Sequence, residues 1–117
     1  MEKTNARTAV IAKALDVSTS HITEEDAKLL ESSTSQGEVH FGLGYPTIVY
    51  SYPEGYFVYA HVGDNAAEVR DFNKACRAAG YSEAFLKVMQ MARRNGCKYA
   101  QLDCDGIEYP QLKTYKW

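Results

Sequence analysis

The sequence predicts a single α+β domain, in which a mostly antiparallel sheet of about four strands carries helices on one face. Two stretches provide most of the evidence. Tyr81 to Gly106 combines an amphipathic helix, a glycine stop and a short strand, and Thr47 to Val62 has the pattern of a β-hairpin. Segments in which apolar residues recur with the spacing of a helix therefore occur beside segments with the alternation of a strand. The chain has 117 residues, a length typical of one globular domain.

The helix that follows Tyr81 has clear start and stop signals. Ser82 can cap it, and apolar side chains recur at i, i+3, i+4 and i+7: Phe85, Val88, Met89 and Ala92. Gly96 is the residue expected just beyond the helix end. Lys98 to Leu102 then predicts a strand that runs into an Asp-Gly turn.

The hairpin is predicted from two β-branched and aromatic runs, Thr47 to Tyr52 and Tyr56 to Val62. Pro53-Glu54-Gly55 lies between them and suits a tight turn. Four tyrosines come close together there and are the candidate partner-binding residues: Tyr50, Tyr52, Tyr56 and Tyr59. Tyrosine suits interfaces because it offers a large contact area and a polar tip at little entropic cost.

The remaining elements complete the order β-α-β-β-α-α-β. Ala9 to Val17 predicts the first strand, and the Thr23/Asp26 capping box starts a helix over about 24–32. Asn65 starts a further helix that ends at Gly80. The order resembles a ferredoxin-like split βαβ arrangement with one extra helix, an analogy that carries no function.

The segments between and beyond these elements are predicted to be irregular. Residues 1–7 form a flexible N-terminus, residues 8–117 form the domain, and residues 32–44 form a loop of about a dozen residues. The aromatic tail Ile107 to Trp117 is expected to pack back on the domain as a strand or an extended arm.

Composition excludes several classes of function. Thirteen basic and fifteen acidic residues give a formal charge of −2, so no basic field favours nucleic acid. No apolar run is long enough to span a bilayer, and no secretory cleavage pattern is present, which predicts a cytoplasmic protein without membrane contact. Three cysteines without a Cys-x-x-Cys pair predict buried thiols, with no disulfide framework, zinc finger or bound cofactor.

One set of side chains has the composition of a catalytic site. Ser18, Ser20 and His21 lie between the first strand and a helix start, and Asp103 and Asp105 follow the last strand. Hydroxyls, an imidazole and carboxylates serve nucleophilic or acid-base chemistry if the fold brings them together. The alternative is an ordinary helix cap at one segment and an Asp-Gly turn at the other. Whether the two segments meet at one edge of the sheet depends on the fold.

Three further motifs lack the partners that their chemistry needs. Asp103 and Asp105 could bind a divalent cation, but the other ligands of a calcium loop are missing. His21, His40 and His61 match no ligand spacing, so no metal site is predicted. Residues 42–46 contain Gly-x-Gly without the third glycine or a following helix, which indicates a loop instead of a dinucleotide site.

The two helices that meet at Gly80 have the spacing of a helix-turn-helix. The second helix would begin with Glu83 and Phe85, where phosphates and base edges require Arg, Lys, Asn or Gln. DNA binding is therefore disfavoured.

Several segments resemble an uncharacterised family of small proteins encoded on bacterial plasmids, prophages and other mobile elements. The resemblance lies in DVSTSHITEED (16–26), GYSEAF (80–85), LDCDG (102–106) and LKTYKW (112–117). Its members share a Ser-Thr-x-His-Ile segment, an Asp-x-Asp-Gly and a Leu-Pro-x-Tyr-x-Trp ending, from which this chain departs at Lys113, where the pattern has proline. The resemblance implies an accessory gene of a phage or mobile element and transfers no residue role.

Three classes of function remain open. The first is a non-catalytic module that binds a protein. If the module inhibits a host defence complex, its protein partner is encoded by the host. The second is a small enzyme or ligand-binding domain that uses the Ser18–His21 segment with Asp103 or Asp105. The third is a nucleic-acid-binding protein, which the charge disfavours. The sequence predicts no particular oligomeric state.

Overall fold

The computed structural model describes residue 9 and residues 11–34, 46–60 and 65–117, which form one four-stranded sheet and three α-helices. The strands are β1 (Ala14–Ser18), β2 (Val49–Tyr52), β3 (Gly55–Tyr59) and β4 (Tyr99–Asp103). The helices are α1 (Glu24–Ser33), α2 (Ala66–Ala79) and α3 (Glu83–Arg94), and a 3₁₀ turn, Thr19–His21, joins β1 to α1. The predicted α+β class and element order are confirmed.

The sheet has the strand order β1-β4-β3-β2. β1 is parallel to β4, whereas β4 with β3 and β3 with β2 are antiparallel, so the sheet is mostly antiparallel as predicted. The parallel strands β1 and β4 are direct neighbours in the sheet, whereas the parallel strands of a split βαβ arrangement have another strand between them. The ferredoxin-like analogy therefore extends to the order of elements and not to the arrangement of the sheet.

The core lies between one face of this sheet and the helices. Alternate strand residues point into it, including Val17, Val58, Ala100 and Leu102, each with no exposed surface. α3 contributes the apolar stripe predicted from its sequence, and Phe85, Val88, Met89 and Ala92 are all fully buried. The opposite face of the sheet is therefore left to the other half of the strand side chains.

The helix starts follow the predicted caps. Thr23 and Asp26 form the reciprocal capping box of α1, and the Ser82 hydroxyl caps α3. Asp26 has no exposed surface and also accepts a hydrogen bond from the Ser82 N–H at 2.8 Å. One buried carboxylate thus lies at the positive ends of α1 and α3 and fixes these helices against each other.

Some element boundaries differ from the prediction. β1 begins at Ala14 instead of Ala9, and Ile11 is 81% exposed, because apolar composition without a neighbouring strand does not make a strand. The hairpin strands are shorter than predicted and enclose a two-residue turn at Pro53 and Glu54. Several predictions concern residues outside the described part of the chain. These are residues 1–7, His40, His61, most of the 32–44 loop and most of the 42–46 motif.

The glycines that follow two of the helices have left-handed backbone conformations. Gly80 and Gly96 follow α2 and α3 with φ of 104° and 70°, as predicted for helix stops. Within the described part of the chain, no helix is both long enough and apolar enough to cross a bilayer.

Candidate functional site

The two polar segments meet at the end of the parallel strand pair. In the register of β1 and β4, Ser18 lies beside Asp103. The 3₁₀ turn with Ser20 and His21 follows one strand, and the turn at Cys104 and Asp105 follows the other. The side chains of the two segments are nevertheless engaged separately.

The chain beyond this turn covers the outer edge of β1. Residues 106–117, hereafter the C-terminal segment, contain no helix or strand and form the extended arm that the sequence allowed. Four hydrogen bonds join this segment to main-chain groups of β1 and of the residues after it: Ser18 N–H to Ile107 O, Tyr109 O–H to Asp16 O, Tyr115 N–H to Ser20 O, and Trp117 Nε1–H to Ile22 O. The aromatic tips of the tail thus bond to the main chain of this domain.

His21 is the central contact of the C-terminal segment. Its side chain is 1% exposed, its Nδ1 lies 2.9 Å from the Lys113 carbonyl oxygen, and the Tyr109 N–H donates to its Nε2 at 2.8 Å. A carbonyl can only accept and an amide N–H can only donate, so this network assigns the proton of the neutral ring to Nδ1. Both nitrogens are therefore used to hold the main chain.

Ser18 and Ser20 are engaged with each other and with the C-terminal segment. The Ser18 hydroxyl caps the 3₁₀ turn by accepting from the Ser20 N–H at 3.0 Å, and it donates to the Ser20 hydroxyl oxygen at 2.9 Å. The Ser20 hydroxyl donates to Glu108 Oε2 at 2.8 Å. Neither hydroxyl is hydrogen-bonded to His21, so the described residues do not form the nucleophile and base pair that acyl transfer requires.

The two carboxylates after β4 belong to a turn. Asp103 Oδ2 accepts from the Tyr52 hydroxyl at 2.6 Å, and Asp103 Oδ1 accepts from the Asp105 N–H at 2.7 Å. These bonds hold the pKa of Asp103 below its ordinary value. Partial burial and the bond to Asp103 raise the pKa of Tyr52 to about 12, so this pair joins a carboxylate to a neutral phenol near neutral pH.

The same turn contains a group with the donor atoms of a metal site. One ligand atom from each of Asp103, Cys104 and Asp105 lies within 4.8 Å of the others. Both Asp103 oxygens already accept hydrogen bonds, and burial together with the nearby carboxylates raises the pKa of the Cys104 thiol, which disfavours the thiolate ligand. The donor set therefore fits an Asp-Gly turn better than a cation site.

The face of the sheet opposite the helices is the second candidate site. Register and alternation place five aromatic side chains on it, hereafter the aromatic face: Tyr50, Tyr52, Phe57, Tyr59 and Tyr99. Tyr50 is 48% exposed and the other four are partly buried. Among the described residues, no helix lies over this side of the sheet, because the core and all three helices are on the other side.

Four of the five rings of the aromatic face, all except Tyr50, are joined by the ring contacts seen among the described residues. Phe57 contacts Tyr52 at 5.2 Å and Tyr99 at 6.3 Å between ring centroids, and Tyr59 contacts Tyr99 at 5.9 Å. These are tilted and edge-to-face contacts of the kind that aromatic pairs prefer. The row is thereby fixed before any partner arrives, which lowers the entropic cost of using it for binding.

Gly55 explains how the first ring of this row is held. It lies between Tyr52 and Asp103 in the sheet register, and a Cβ on it would lie 1.8 Å from the Leu102 carbonyl oxygen. Only glycine permits this approach of the strands. The Tyr52 hydroxyl can consequently reach across β3 to Asp103 and accept from the Gln101 amide at 3.2 Å.

Charge is distributed unevenly along the aromatic face. Asp103 lies at the end nearest the hairpin turn, and Asp105 and Glu54 lie in the adjoining turns. On the neighbouring strand β1, Asp16 lies beside Gln101, two residues from the end of the strand. At the opposite end, the Lys98 ammonium lies 5.6 Å from the centre of the Tyr99 ring. The face therefore has an acidic end, and the Lys98 ammonium lies near its other end.

The structure divides the four predicted partner-binding tyrosines. Tyr50, Tyr52 and Tyr59 lie on the aromatic face, whereas Tyr56 lies on the helix side, where its hydroxyl donates to Glu31 of α1 at 2.7 Å. Burial and this bond raise the pKa of Tyr56. Sequence reasoning omitted Tyr99 from the site, although the alternation Tyr-Ala-Gln-Leu-Asp in β4 contained the signal for its side of the sheet.

The start of α3, the second helix of the pair that meets at Gly80, is bonded to both α1 and α2. Ser82 at the start of α3 is bonded to the buried Asp26, and the following turn is tied to α2 by a bidentate Arg77–Glu83 pair. Most of α3 is buried against the sheet, including Phe85 and Leu86. Its apolar side chains are thus used for packing, while Glu83 in its first turn is paired with Arg77.

These features define a small α+β domain with one face of its sheet covered by helices and the other face aromatic and partly exposed. Its family is known from sequence: residues 14–117 match the C-terminal domain of a family of unknown function, DUF5983, and the chain belongs to that family. Comparison with curated proteins and with solved structures finds no match.

Proposed function

We propose that this domain is a non-catalytic protein-interaction module and that the aromatic face is its contact surface. The observation that carries the proposal is the connected row of partly exposed rings opposite the helix-covered face. Aromatic side chains are enriched at protein interfaces, and a row already fixed by ring contacts loses little freedom on binding.

Charge indicates the chemistry of the partner. The carboxylates of Asp16 and Asp103 border the rings, with Glu54 and Asp105 in the adjoining turns. A protein surface that presents an apolar side chain beside Arg or Lys complements this arrangement, since opposite charges at the border steer association and fix the register. We therefore expect a partner patch that is apolar at its centre and basic on one side.

The state of the polar side chains also favours binding over catalysis. His21 holds main-chain groups through both nitrogens, and both oxygens of Asp103 accept hydrogen bonds within the domain. A catalytic base needs a lone pair directed at a substrate proton. The enzyme hypothesis would require these groups to leave their present partners first.

Nucleic acid is the competing ligand for an aromatic sheet face. Bases stack on exposed rings of open sheets, as in several single-strand-binding folds. Such sites also need cations along the phosphate backbone, whereas here Asp16 and Asp103 lie beside the rings and Lys98 lies near one end. Charge therefore favours a protein partner.

The experiment immobilises three forms of the full chain and exposes each to lysate of the cells that carry the gene. The partner proteins that each form retains are then compared. The first is the native chain and the second carries Tyr59→Ser with Tyr99→Ser on the aromatic face. The third is a matched control with Arg70→Ser and Lys74→Ser on the exposed side of α2. Circular dichroism first establishes that all three are folded.

A stoichiometric protein retained by the native chain and the α2 control, and reduced at least about tenfold on the aromatic-face variant, is the expected result. Equal retention by all three forms, or no protein retained, contradicts the proposal. Recovery of DNA or RNA that disappears as salt is raised would assign the face to nucleic acid instead.

A narrower role, for a chain whose resemblance implies a gene of a phage or mobile element, is inhibition of a host defence complex. We propose that the protein acts in the cytoplasm, where thiols remain reduced, because all three of its cysteines are free. Its specific expectation is that the retained partner is a subunit of such a complex and loses activity when the native chain binds, but not when the Tyr59/Tyr99 variant is added.

A further inference from the structure

A cleft lies between the exposed side of α3 and the C-terminal segment. Its volume is about 360 Å³, which is within the range of sites for small molecules. One wall is a stripe of α3 whose members are spaced i, i+3, i+4 and i+7: Lys87, Gln90, Met91 and Arg94. The opposite wall is formed by Gln111 and Leu112 of the C-terminal segment. The cleft is separate from the aromatic face, because α3 packs on the other side of the sheet.

The wall from the C-terminal segment belongs to a turn that the domain holds in place. The Leu112 N–H donates to Tyr109 O at 3.0 Å, and Pro110 takes the position of this turn that suits proline. The Tyr109 N–H donates to Nε2 of the buried His21 at 2.8 Å. Gln111 therefore lines the cleft from a main chain that is already fixed, which lowers the entropic cost of binding a ligand there.

The cleft combines exposed cations with an apolar base. Met91 and Leu112 are half-buried and pack against the core, whereas Lys87 and Arg94 are exposed. None of the residues that line the cleft is acidic. Glu83, one helical turn before Lys87, is held by Arg77 in a bidentate pair. Both cations of the cleft are therefore available to an anion from outside the chain.

The carboxyl end of α3 lies near this cleft, and free carbonyl groups there would repel an anion. These carbonyl groups are not free. The N–H groups of residues 95–97 donate to the carbonyl oxygens of residues 91–93, and the Asn95 side-chain amide also donates to Met91 O at 2.8 Å. The negative end of the helix is thus largely satisfied within the domain, and the charge of Arg94 dominates at this end of the cleft.

We propose that this cleft binds a small organic dicarboxylate, with one carboxylate at Lys87 and the other at Arg94. The two cations are seven residues apart in α3, about 10 Å along the helix axis, and their long side chains can turn toward each other. Arginine holds a carboxylate through two parallel N–H···O bonds, and lysine supplies a point charge. The apolar chain of the ligand would lie over Met91 and Leu112. A compact anion such as phosphate would leave this base uncovered.

The first test titrates the full chain with adipate, a dicarboxylate with a short methylene chain, at constant ionic strength and neutral pH. We expect the Met91 and Leu112 amide signals to shift saturably in NMR spectra, with a dissociation constant on the order of 1 mM. Adipamide, the uncharged analogue, and inorganic phosphate should each bind at least about tenfold more weakly.

Two double variants then assign the binding to the cleft. Lys87→Gln with Arg94→Gln removes both cations and should weaken adipate binding at least about tenfold. Arg70→Gln with Lys74→Gln is the matched control, because it removes the same charge from the exposed side of α2. The control should change the dissociation constant less than about twofold, since exposed charges away from the site are screened by salt. All four side chains are exposed, so both variants are expected to fold.

A second measurement tests whether the ligand contacts both walls. A dicarboxylate that joins α3 to the turn held by His21 should oppose release of the C-terminal segment. Hydrogen exchange at the Tyr109 amide should therefore slow at least about fivefold at saturating adipate. Exchange that stays unchanged would place the ligand on α3 alone and contradict the proposed site.

Three further results would overturn the inference. The first is a lack of saturation up to about 50 mM adipate. The second is phosphate binding as tight as that of adipate, and the third is equal weakening in the two double variants. This inference goes beyond the proposed partner surface and does not depend on it. Because the partner test changes Tyr59 and Tyr99 on the other face of the sheet, the two proposals fail separately.

Discussion

The C-terminal segment and the aromatic face are both rich in aromatic side chains, yet they use them in opposite ways. In the segment, the Tyr109 hydroxyl and the Trp117 ring N–H bond to carbonyl groups of this domain. On the face, Tyr50 has its ring directed outward and the remaining rings contact one another. Residue type alone therefore does not distinguish an aromatic site that holds a fold together from one that can bind a partner.

The largest loss of stability is expected from a substitution that prevents the C-terminal segment from docking against β1. Gly106 lies against the main chain of β1, and a Cβ on it would lie 2.5 Å from the Val17 carbonyl carbon and oxygen. The contact is with backbone, which cannot move aside, so Gly106→Ala should displace the C-terminal segment. We expect a loss of about 3 to 4 kcal/mol in the free energy of unfolding, measured by urea denaturation.

Cys104→Ala is the matched control, because Cys104 is exposed in the same turn and its substitution removes no packing. A Gly106→Ala protein within about 1 kcal/mol of the native chain would mean that the segment contributes little to the fold.

A smaller effect is expected from the histidine that holds the segment. His21→Ala leaves the Tyr109 N–H and the Lys113 carbonyl without their partners in a site that is 1% exposed. Unpaired buried polar groups and the lost packing should lower the free energy of unfolding by about 2 to 3 kcal/mol. Hydrogen exchange at the Tyr109 amide should become faster, which a loss of packing elsewhere would not produce.

Ser20→Ala tests the neighbouring hydroxyl and should cost less than about 1 kcal/mol, since its bond to Glu108 is exposed. If His21→Ala were as mild as Ser20→Ala, His21 would not be a structural histidine and its catalytic interpretation would reopen.

Local signals explain why most of the fold could be predicted. The caps of α1, α2 and α3 are formed by Thr23, Asn65 and Ser82, each read from residues three or four apart. The hairpin was likewise visible from its turn. The start of β1 was wrong because Ala9 to Lys13 has strand composition, whereas strand assignment depends on the neighbouring strand β4, which is remote in sequence.

The candidate site was harder to predict because it depends on contacts between distant residues. Alternation indicates that Tyr50 and Tyr52 share a face, but it does not reveal whether helices cover that face or the one with Tyr56. The role of His21 depends on Tyr109 and Lys113, about ninety residues away, for which no local pattern exists. The sequence left open whether Ser18 and Asp103 meet, because that depends on the pairing of β1 with β4, and the separate engagement of their side chains was not predicted.

The smallest expected effect sharpens the comparison at the border between the two regions, where Tyr52 of the aromatic face bonds to Asp103. The Tyr52 hydroxyl is the main cause that lowers the pKa of Asp103, and the Asp105 N–H is the second. A carboxyl whose pKa is lower in the folded than in the unfolded chain stabilises the fold above its unfolded pKa, about 3.9. That stabilisation is lost as the pH falls through the lower, folded pKa.

In Tyr52→Phe, the pKa of Asp103 should rise toward its ordinary value, and the free energy of unfolding should fall less steeply with acid below about pH 4. The pKa is measured from the Asp103 carboxyl carbon by NMR, and the slope from urea titrations at several pH values. Tyr50→Phe removes a hydroxyl from the same strand without touching Asp103 and should leave both quantities unchanged. An Asp103 pKa that is the same in Tyr52→Phe as in the native chain would show that the carboxylate is held by its own turn, and that the aromatic face and the polar turn are independent.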